Sequence, residues 1–451
     1  MKVIVIGAVA AGSKTAAKIK HLSKDTEVTI YTQDTHVSYS ACGLPYYIEG
    51  NFEDYKNLLI RSPEEFEKSG ISVHLKHRVS KINPEEKTVS VINLDSAEEF
   101  NDKYDVLVIA TGAKPFIPEI ENIHIKNVFA LRTVEDGIFI REKMRASKNA
   151  TIIGAGYIGI ELLEALIKNG LNVTLINNHK YVMPIFDDDI SELIQNYILT
   201  SCNNQITLLN DDEAIEFIGT EQVEKVLTKN GKIIPTDMVL ISAGVRPVID
   251  IAEKAGIEIG QTGAIKVNSQ MQTNIKDIYA CGDCVEKINI ISQSPMWIPL
   301  GSTANKEGRC AGMNICGIPD YFEGVLGSAV TRFLDLTISK TGISEKLARK
   351  LGFDPVSEMI TEIDRAGYMP DVKKVTIKMT ADKRTHIILG AQAIGCGDAD
   401  KRINSITSGL MERITVWQLA SVDITYSPPY SVSIDPVITL AQKLASRLRN
   451  P

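Results

Sequence analysis

The chain has 451 residues, 44% hydrophobic and 23% charged, with a formal net charge of -7, long enough for two or three domains with cores of their own. The acid excess gives no general attraction to nucleic acid or to an anionic membrane, and no apolar run reaches the roughly 20 residues of a spanning helix. Seven cysteines, an odd number scattered over the chain, do not read as a disulfide framework and point to a reducing cytoplasm.

The first element is an apolar strand, Val3 to Ile6, followed by Gly7 and Gly12, a lysine-bearing helix and a second strand, Val28 to Tyr31. This is a βαβ nucleotide-binding opening. "MKVIVIGAVAAG" superficially resembles a short signal peptide, but its glycines fall at nucleotide-loop spacing, and Lys14, Lys18 and Lys20 follow where a mature domain would begin. Next comes "SYSACGLPYYIEG", residues 38–50, with one cysteine ahead of a glycine and a Pro-Tyr-Tyr run. Taken alone, Cys42 would be read as a small buried apolar residue.

A buried strand in "YDVLVIATGAKPFIP" ends in Thr111 and Gly112 and reads as a domain exit. The opening grammar then returns at 150–176, where "GAGYIG" supplies a full G-x-G-x-x-G between strand and helix. Such glycines permit a tight turn and close approach to a pyrophosphate, and the helix N-terminus supplies N–H donors. In the first loop, "GAVAAG", Val9 stands where the middle glycine belongs. "DMVLISAGVRP" repeats the exit grammar, and "DIYACGDC" ends another strand in Gly-Asp. Asp283 there could hydrogen-bond a ribityl chain or cap a helix; Cys281 and Cys284, which bracket it, are read as structural rather than as a redox pair. From about Gly324 the chain turns to β-rich stretches such as "KVTIKM" and "HIILGAQAIG", with a helix near 405–419, and reads as a separate α+β domain.

"ATGAKP", "GAGYIGIE", "ISAGVRP", "IYACGDC", "PLGSTANKEGR" and "YSPPYS" stand in an order and at separations that resemble the FAD-dependent pyridine nucleotide-disulfide oxidoreductases. Within them the chain is most similar to the branch with one redox cysteine, which holds coenzyme A-disulfide reductase, NADH oxidase and NADH peroxidase. The resemblance implies an α/β architecture with two Rossmann-like domains and a C-terminal α+β dimerisation domain. Residues 1–113 and 247–323 would form the FAD-binding domain, 114–246 an inserted NAD(P)H-binding domain, and 324–451 the dimerisation domain of a homodimer. It implies cofactor contacts at Gly7, Gly12, Thr32, Asp34, Thr111, Gly112, Gly154, Gly156, Tyr157, Gly159, Glu161, Gly244, Asp283 and Thr303, with Tyr157 swinging aside to admit the nicotinamide.

The same resemblance makes Cys42 the redox thiol, at a helix N-terminus over the flavin, with its pKa lowered from about 8.5. No second cysteine stands at C-x-x-C or C-x-x-x-x-C spacing from it, so its oxidised form is expected to be a sulfenic acid or a mixed disulfide with a small thiol. Oxidases and peroxidases of the group carry a histidine in the first loop, where this chain has Ala10. Tyr426 and Tyr368 match tyrosines that reach the partner subunit's active site and could protonate a departing thiolate; Lys18, His21 and Ser38 are the candidate coenzyme A contacts. Two acids expected at strand ends are replaced, by Thr32 for the FAD ribose and by Asn177 for that of the nicotinamide cofactor. With Asn178, His179 and Lys180 following, NADPH is expected to serve at least as well as NADH. The reading is an NAD(P)H-dependent reductase of coenzyme A disulfide or a related persulfide. The rivals are an NADH oxidase, a coenzyme A-dependent sulfur reductase and a flavoprotein sensor without turnover.

Overall fold

Fully buried Val3, Ile4 and Val5 place the first strand, Lys2–Ile6, at the centre of a parallel sheet. The computed structural model describes residues 1–202 and 204–449. In spatial order this sheet runs 278–280, 106–109, 2–6, 27–31 and 71–74, every neighbour parallel. Helix α1, Ala10–Leu22, connects its first two strands; a short helix α2, Leu44–Glu49, follows with Pro45 in its first turn, where a missing N–H costs nothing.

The second unit copies the first. Its parallel sheet runs 206–209, 172–176, 149–153, 238–241 and 128–130. Helix α3, Tyr157–Lys168, connects the two opening strands, and α4, Asp188–Ser201, leads to the next. Each unit carries a three-stranded antiparallel meander, at 77–103 in one and 214–235 in the other. The two crossings of the chain between the units run side by side. Ala113–Pro115 pairs antiparallel with Val245–Pro247, and the Thr111 hydroxyl donates to the Val248 carbonyl at 2.6 Å.

After the last strand of the first sheet, helix α5, Gly301–Ile315, packs along α1. The contact is close because glycines face it: a Cβ on Gly308 would stand 2.4 Å from the Ala11 carbonyl oxygen, and one on Gly312 would stand 2.8 Å from Lys18 Cβ.

The C-terminal part is a five-stranded antiparallel sheet in the order 329–333, 336–342, 388–395, 374–382 and 355–363, with the helices Ala399–Met411 and Pro436–Arg449 adding to its apolar core. The helix expected near 405–419 is two, ending at Met411 and resuming at Val416 after a Thr415 capping box.

One row across this sheet is polar: Lys340, Gln392 and Lys378 are cross-strand neighbours, and all three are buried. Their partner is Asp187, just before α4. Its carboxylate accepts from Gln392 Nε2 at 2.6 Å and from the N–H groups of Glu345 and Lys346 at 3.1 Å. Lys378 Nζ lies 3.3 Å from that carboxylate, and the Asp187 backbone N–H donates to Gln392 Oε1 at 2.8 Å. Asp187 therefore caps a helix of the C-terminal part, α6, Glu345–Lys350, rather than its own. Among the described residues no helix is long and apolar enough to cross a membrane.

Candidate active site

The two glycine loops are built alike. Gly7 and Gly154 leave their strands at φ +104° and +103°, conformations that favour glycine. A Cβ on Gly12 would stand 2.0 Å from the Gly7 carbonyl oxygen, and one on Gly159 would stand 2.1 Å from that of Gly154, so these glycines let helix meet strand. Gly156 differs, since a Cβ there would meet nothing within 4 Å. The fold leaves room for a side chain at that place, as Val9 in the first loop shows. Neither α1 nor α3 has a side-chain cap or an acid in its first turn, so their free N–H groups and positive ends face the space above the loops, as pyrophosphate binding requires.

Around the first loop the side chains form a cradle. Asp283 lies in a turn after strand Ile278–Ala280, not at a helix N-cap, and its Oδ1 is buried without a hydrogen-bond partner. Burial pushes its carboxyl up, and Lys287 and Arg132 pull it back. Arg132 donates to the Ala113 carbonyl at 2.7 Å, and its guanidinium stands beside Gly112, 3.1 Å from where a Cβ would be. Burial raises the Asp34 carboxyl too, again with Arg132 acting in opposition, so Asp34 brings to this strand end the charge that Thr32 lacks. Buried Thr32 instead accepts from the Asp34 N–H at 3.3 Å, and buried Thr303 lies on α5. A lone buried carboxylate, a guanidinium and uncapped helix N–H groups fit a dinucleotide with a polyol chain such as FAD.

Cys42 sits in the single 3-10 turn Ala41–Gly43 that leads into α2. A Cβ on Gly301, the first residue of α5, would lie 4.0 Å from its sulfur. The thiol is open to solvent on one side and walled by protein elsewhere. Desolvation, then the Glu161 and Asp283 carboxylates, push it above its ordinary value, and its own backbone N–H pulls back only in part. The lowered thiol expected from a helix N-terminus is therefore not what the chain alone produces: desolvation, with two carboxylates adding to it, outweighs one short turn. Glu161, itself raised by burial, accepts from the Thr331 hydroxyl at 2.9 Å, so all three parts of the fold meet beside this sulfur. Cys281 and Cys284 are buried and free, engaged with Thr15 Oγ1 and the Ile109 carbonyl at 3.5 Å.

In the second unit the Tyr157 ring lies edge-on to Phe186 with centroids 6.5 Å apart, and its hydroxyl is buried without a partner. Gly244 leaves its strand at φ +109° with open space around it. Asn177 is spent within the fold: it is buried, and its amide donates to the carbonyls of His179 and Tyr181 at 2.9 Å and to Asn210 Oδ1 at 3.0 Å. Asn178, His179 and Lys180 are exposed.

Ser38, at φ 51°, ties its N–H to the Ala8 carbonyl at 2.7 Å and so borders the first loop. Lys18 and His21 are not at the thiol. Lys18 packs on Gly312, about 16 Å along α5 from Gly301 at roughly 1.5 Å per residue, and His21 is exposed a turn beyond. Tyr368 and Tyr426 are exposed, 77% and 52%, on two loops joined by the Ala366 N–H to the Pro428 carbonyl at 3.2 Å; together they present an aromatic surface free to meet another molecule. A cavity of about 740 Å³ beside the C-terminal sheet is lined by Arg349, Lys378, Lys383 and Arg447, but each of these cations is paired with a carboxylate.

Sequence reasoning missed Arg132, Lys287 and Glu307. A Lys beside "CGDCVE" and a Glu in "ANKEGR" read as surface charges, although their side chains are 1% and 0% exposed. The clue available was the helical spacing that puts Glu307 on the same face as Thr303.

The sequence matches the family described as pyridine nucleotide-disulphide oxidoreductase over residues 1–308 and that family's dimerisation domain over 328–436. It is 36% identical over 447 residues to the NAD(P)H sulfur oxidoreductase (CoA-dependent) of Pyrococcus furiosus, covering 98% of this chain and 99% of that one. It is 31% identical over 451 residues to the coenzyme A disulfide reductase of Staphylococcus haemolyticus, covering 98% and 99%. The solved NAD-dependent persulfide reductase of A. fulgidus superposes with a TM-score of 0.96 at 34% identity, over 100% of this chain and 84% of that one.

Proposed function

The chain belongs to the pyridine nucleotide-disulphide oxidoreductases, and within that family we propose that it is a homodimeric enzyme using NAD(P)H to reduce coenzyme A disulfide, or a related coenzyme A persulfide or mixed disulfide, through Cys42. The observation that carries this reading is the solitary thiol: Cys42 lies within electrostatic reach of Asp283 and Glu161, while Cys281 and Cys284 are buried. A redox cycle on one sulfur needs a small partner thiol or a sulfenic acid.

The residues divide the work as follows. The α1 loop, Arg132 and Asp283 would hold FAD, which when bound supplies two-electron transfer from NAD(P)H to a disulfide. The α3 loop would hold the pyrophosphate of NAD(P)H, with Tyr157 moving aside to admit its ring. Cys42 thiolate attacks one sulfur of the coenzyme A disulfide, so that the Cys42–coenzyme A disulfide forms as the original S–S bond breaks and one coenzyme A thiolate leaves. Two electrons and a proton then cleave the mixed disulfide, returning the Cys42 thiolate and a second coenzyme A thiol. The exposed tyrosines fit the proton donor's role from across a dimer, the partner subunit's Tyr426 and the partner subunit's Tyr368 reaching the leaving sulfur.

Lys18 and His21 lie far enough along α1 to suit the phosphate end of a coenzyme A whose sulfur is at Cys42, and Ser38 borders the first loop. Free cysteines throughout suit a reducing cytoplasm. Ala10 offers no proton donor for O–O cleavage, which weighs against a water-forming oxidase. A persulfide is favoured as an alternative oxidant by the likeness to the NAD-dependent persulfide reductase of A. fulgidus.

The test follows NAD(P)H consumption with oxygen alone, then with coenzyme A disulfide or coenzyme A persulfide added, with peroxide assayed throughout. Turnover with oxygen is expected to be slow and to yield peroxide, and either coenzyme A substrate is expected to accelerate it. Fast, peroxide-free oxygen consumption unaffected by both would reject the reading.

A further inference from the structure

The backbone around Asp283 is clamped while its carboxylate is left free. The Gly282 N–H donates to Glu307 Oε2 at 2.7 Å. Lys287 Nζ donates to the Gly282 and Val285 carbonyls, both at 3.0 Å, and Trp297 Nε1 donates to the Asp283 carbonyl at 2.8 Å. Gly282, at φ +88°, is wedged so close to α1 that a Cβ would stand 2.8 Å from Ala11 Cβ. Asp283 Oδ1 is buried with no partner, and Glu307 Oε1, which accepts no hydrogen bond either, has Lys287 Nζ at 3.5 Å.

Lys287 and Glu307 are themselves buried, 3.5 Å apart, and burial pushes Glu307 up to about 7 in spite of the neighbouring lysine. Taking both charges out of water is costly, and an apolar pair of equal volume would stabilise the fold as well or better. An apolar pair could not hold two carbonyls and an N–H on either side of one aspartate.

We propose that Lys287 and Glu307 are positioning residues for the cofactor: they lock the 282–285 turn so that Asp283 meets a hydroxyl of the FAD polyol chain, and their contribution to FAD affinity passes through Asp283. The inference rests on FAD occupying the first cradle.

The test measures FAD released on dilution of the holoprotein, by flavin fluorescence, so no oxidised substrate is involved. Lys287→Met and Asp283→Ala are each expected to weaken FAD about tenfold or more, the size of one charge-assisted hydrogen bond. Lys287→Met placed in the Asp283→Ala background is expected to add less than about threefold, because the two act as one unit. Lys287→Met/Glu307→Gln leaves neither member of the pair as an unpaired buried charge and still binds FAD about tenfold more weakly or worse while keeping the wild-type circular dichroism spectrum. If Lys287→Met alone does not fold, this paired variant replaces it in the cycle. Affinity within about threefold of wild type in the paired variant, or losses that multiply with Asp283→Ala, would overturn the positioning role and leave the FAD site standing. A wild-type protein that purifies colourless and takes up no FAD would overturn the proposal and the functional reading together.

Discussion

At Cys42 two opposing influences can be weighed. Its turn offers a few N–H groups, while desolvation and the carboxylates of Glu161 and Asp283 disfavour the thiolate. In the flavin-free protein, iodoacetamide modification of Cys42 is therefore expected to rise with pH in a range above the ordinary thiol value of about 8.5. Glu161→Gln removes one of the charges and shifts that profile to lower pH; an unchanged profile would mean that Glu161 does not act on the sulfur. Cys42→Ser is expected to lower coenzyme A disulfide turnover below about a tenth of wild type, because the nucleophile is gone. FAD stays bound in that variant and NAD(P)H still bleaches it under anaerobic conditions. Asn177 teaches the complementary lesson: it takes the place expected of a ribose-binding acid but is consumed by its own turn, so discrimination would fall to exposed His179 and Lys180. His179→Ala/Lys180→Ala is expected to lower kcat/KM for NADPH about tenfold, roughly 1.4 kcal/mol, with NADH little affected.

Among the elements, the glycine loops were the most legible in the sequence, because their spacing is imposed by backbone contacts that recur wherever a strand feeds a helix so closely. What the letters could not separate is which glycine serves the fold and which serves a ligand. Gly159→Ala drives a methyl into the Gly154 carbonyl and is expected to cost about 1–3 kcal/mol of stability. Gly156→Ala meets open space and is expected to change stability by less than about 1 kcal/mol while raising KM for NAD(P)H. Thermal melts beside steady-state kinetics on the two variants check this contrast, and equal stability losses would refute it. Less legible were pairings between residues distant in sequence. Gln392 in "AQAIG", Lys378 in "TIKM" and Lys340 in "TISKTG" each look like a polar interruption of a strand, and only the folded register brings them together opposite Asp187.

For the whole molecule, order of motifs and change of composition were enough to read two copied α/β units and a following antiparallel sheet, since hydrophobic period and glycine punctuation act locally. Orientation between the parts was not readable, because it depends on a few buried charges. Glu345, which lies within reach of Lys378 in the C-terminal part and whose N–H donates to Asp187 across this junction, shows how such charges register in solution. Burial alone would raise its carboxyl, but hydrogen bonds from Arg349, Ser357 and Lys378 prevail and hold it at about 2. A carboxylate depressed on folding stabilises above its unfolded pKa and loses that contribution as pH falls. Stability is expected to drop progressively between about pH 4.5 and 2 by roughly 2–3 kcal/mol from this group, and Glu345→Gln is expected to flatten that part of a denaturant-versus-pH series.

The anchoring of Asp187 also limits how the enzyme can move. Met183 is tied to the Ala155 carbonyl of the second loop at 2.8 Å and Asp187 to Gln392 and the start of α6, so a short rigid strut runs from the nucleotide loop to the C-terminal sheet. Rotating the second unit as a body would strip a buried carboxylate of its donors, at a cost of about 3–5 kcal/mol. Access for the nicotinamide would then come from rotamer motion of the Tyr157 side chain rather than from hinge closure on microseconds to milliseconds. Small-angle scattering curves with and without NADPH are expected to superpose, and relaxation measurements to find the motion confined to the Tyr157 ring and its immediate surroundings.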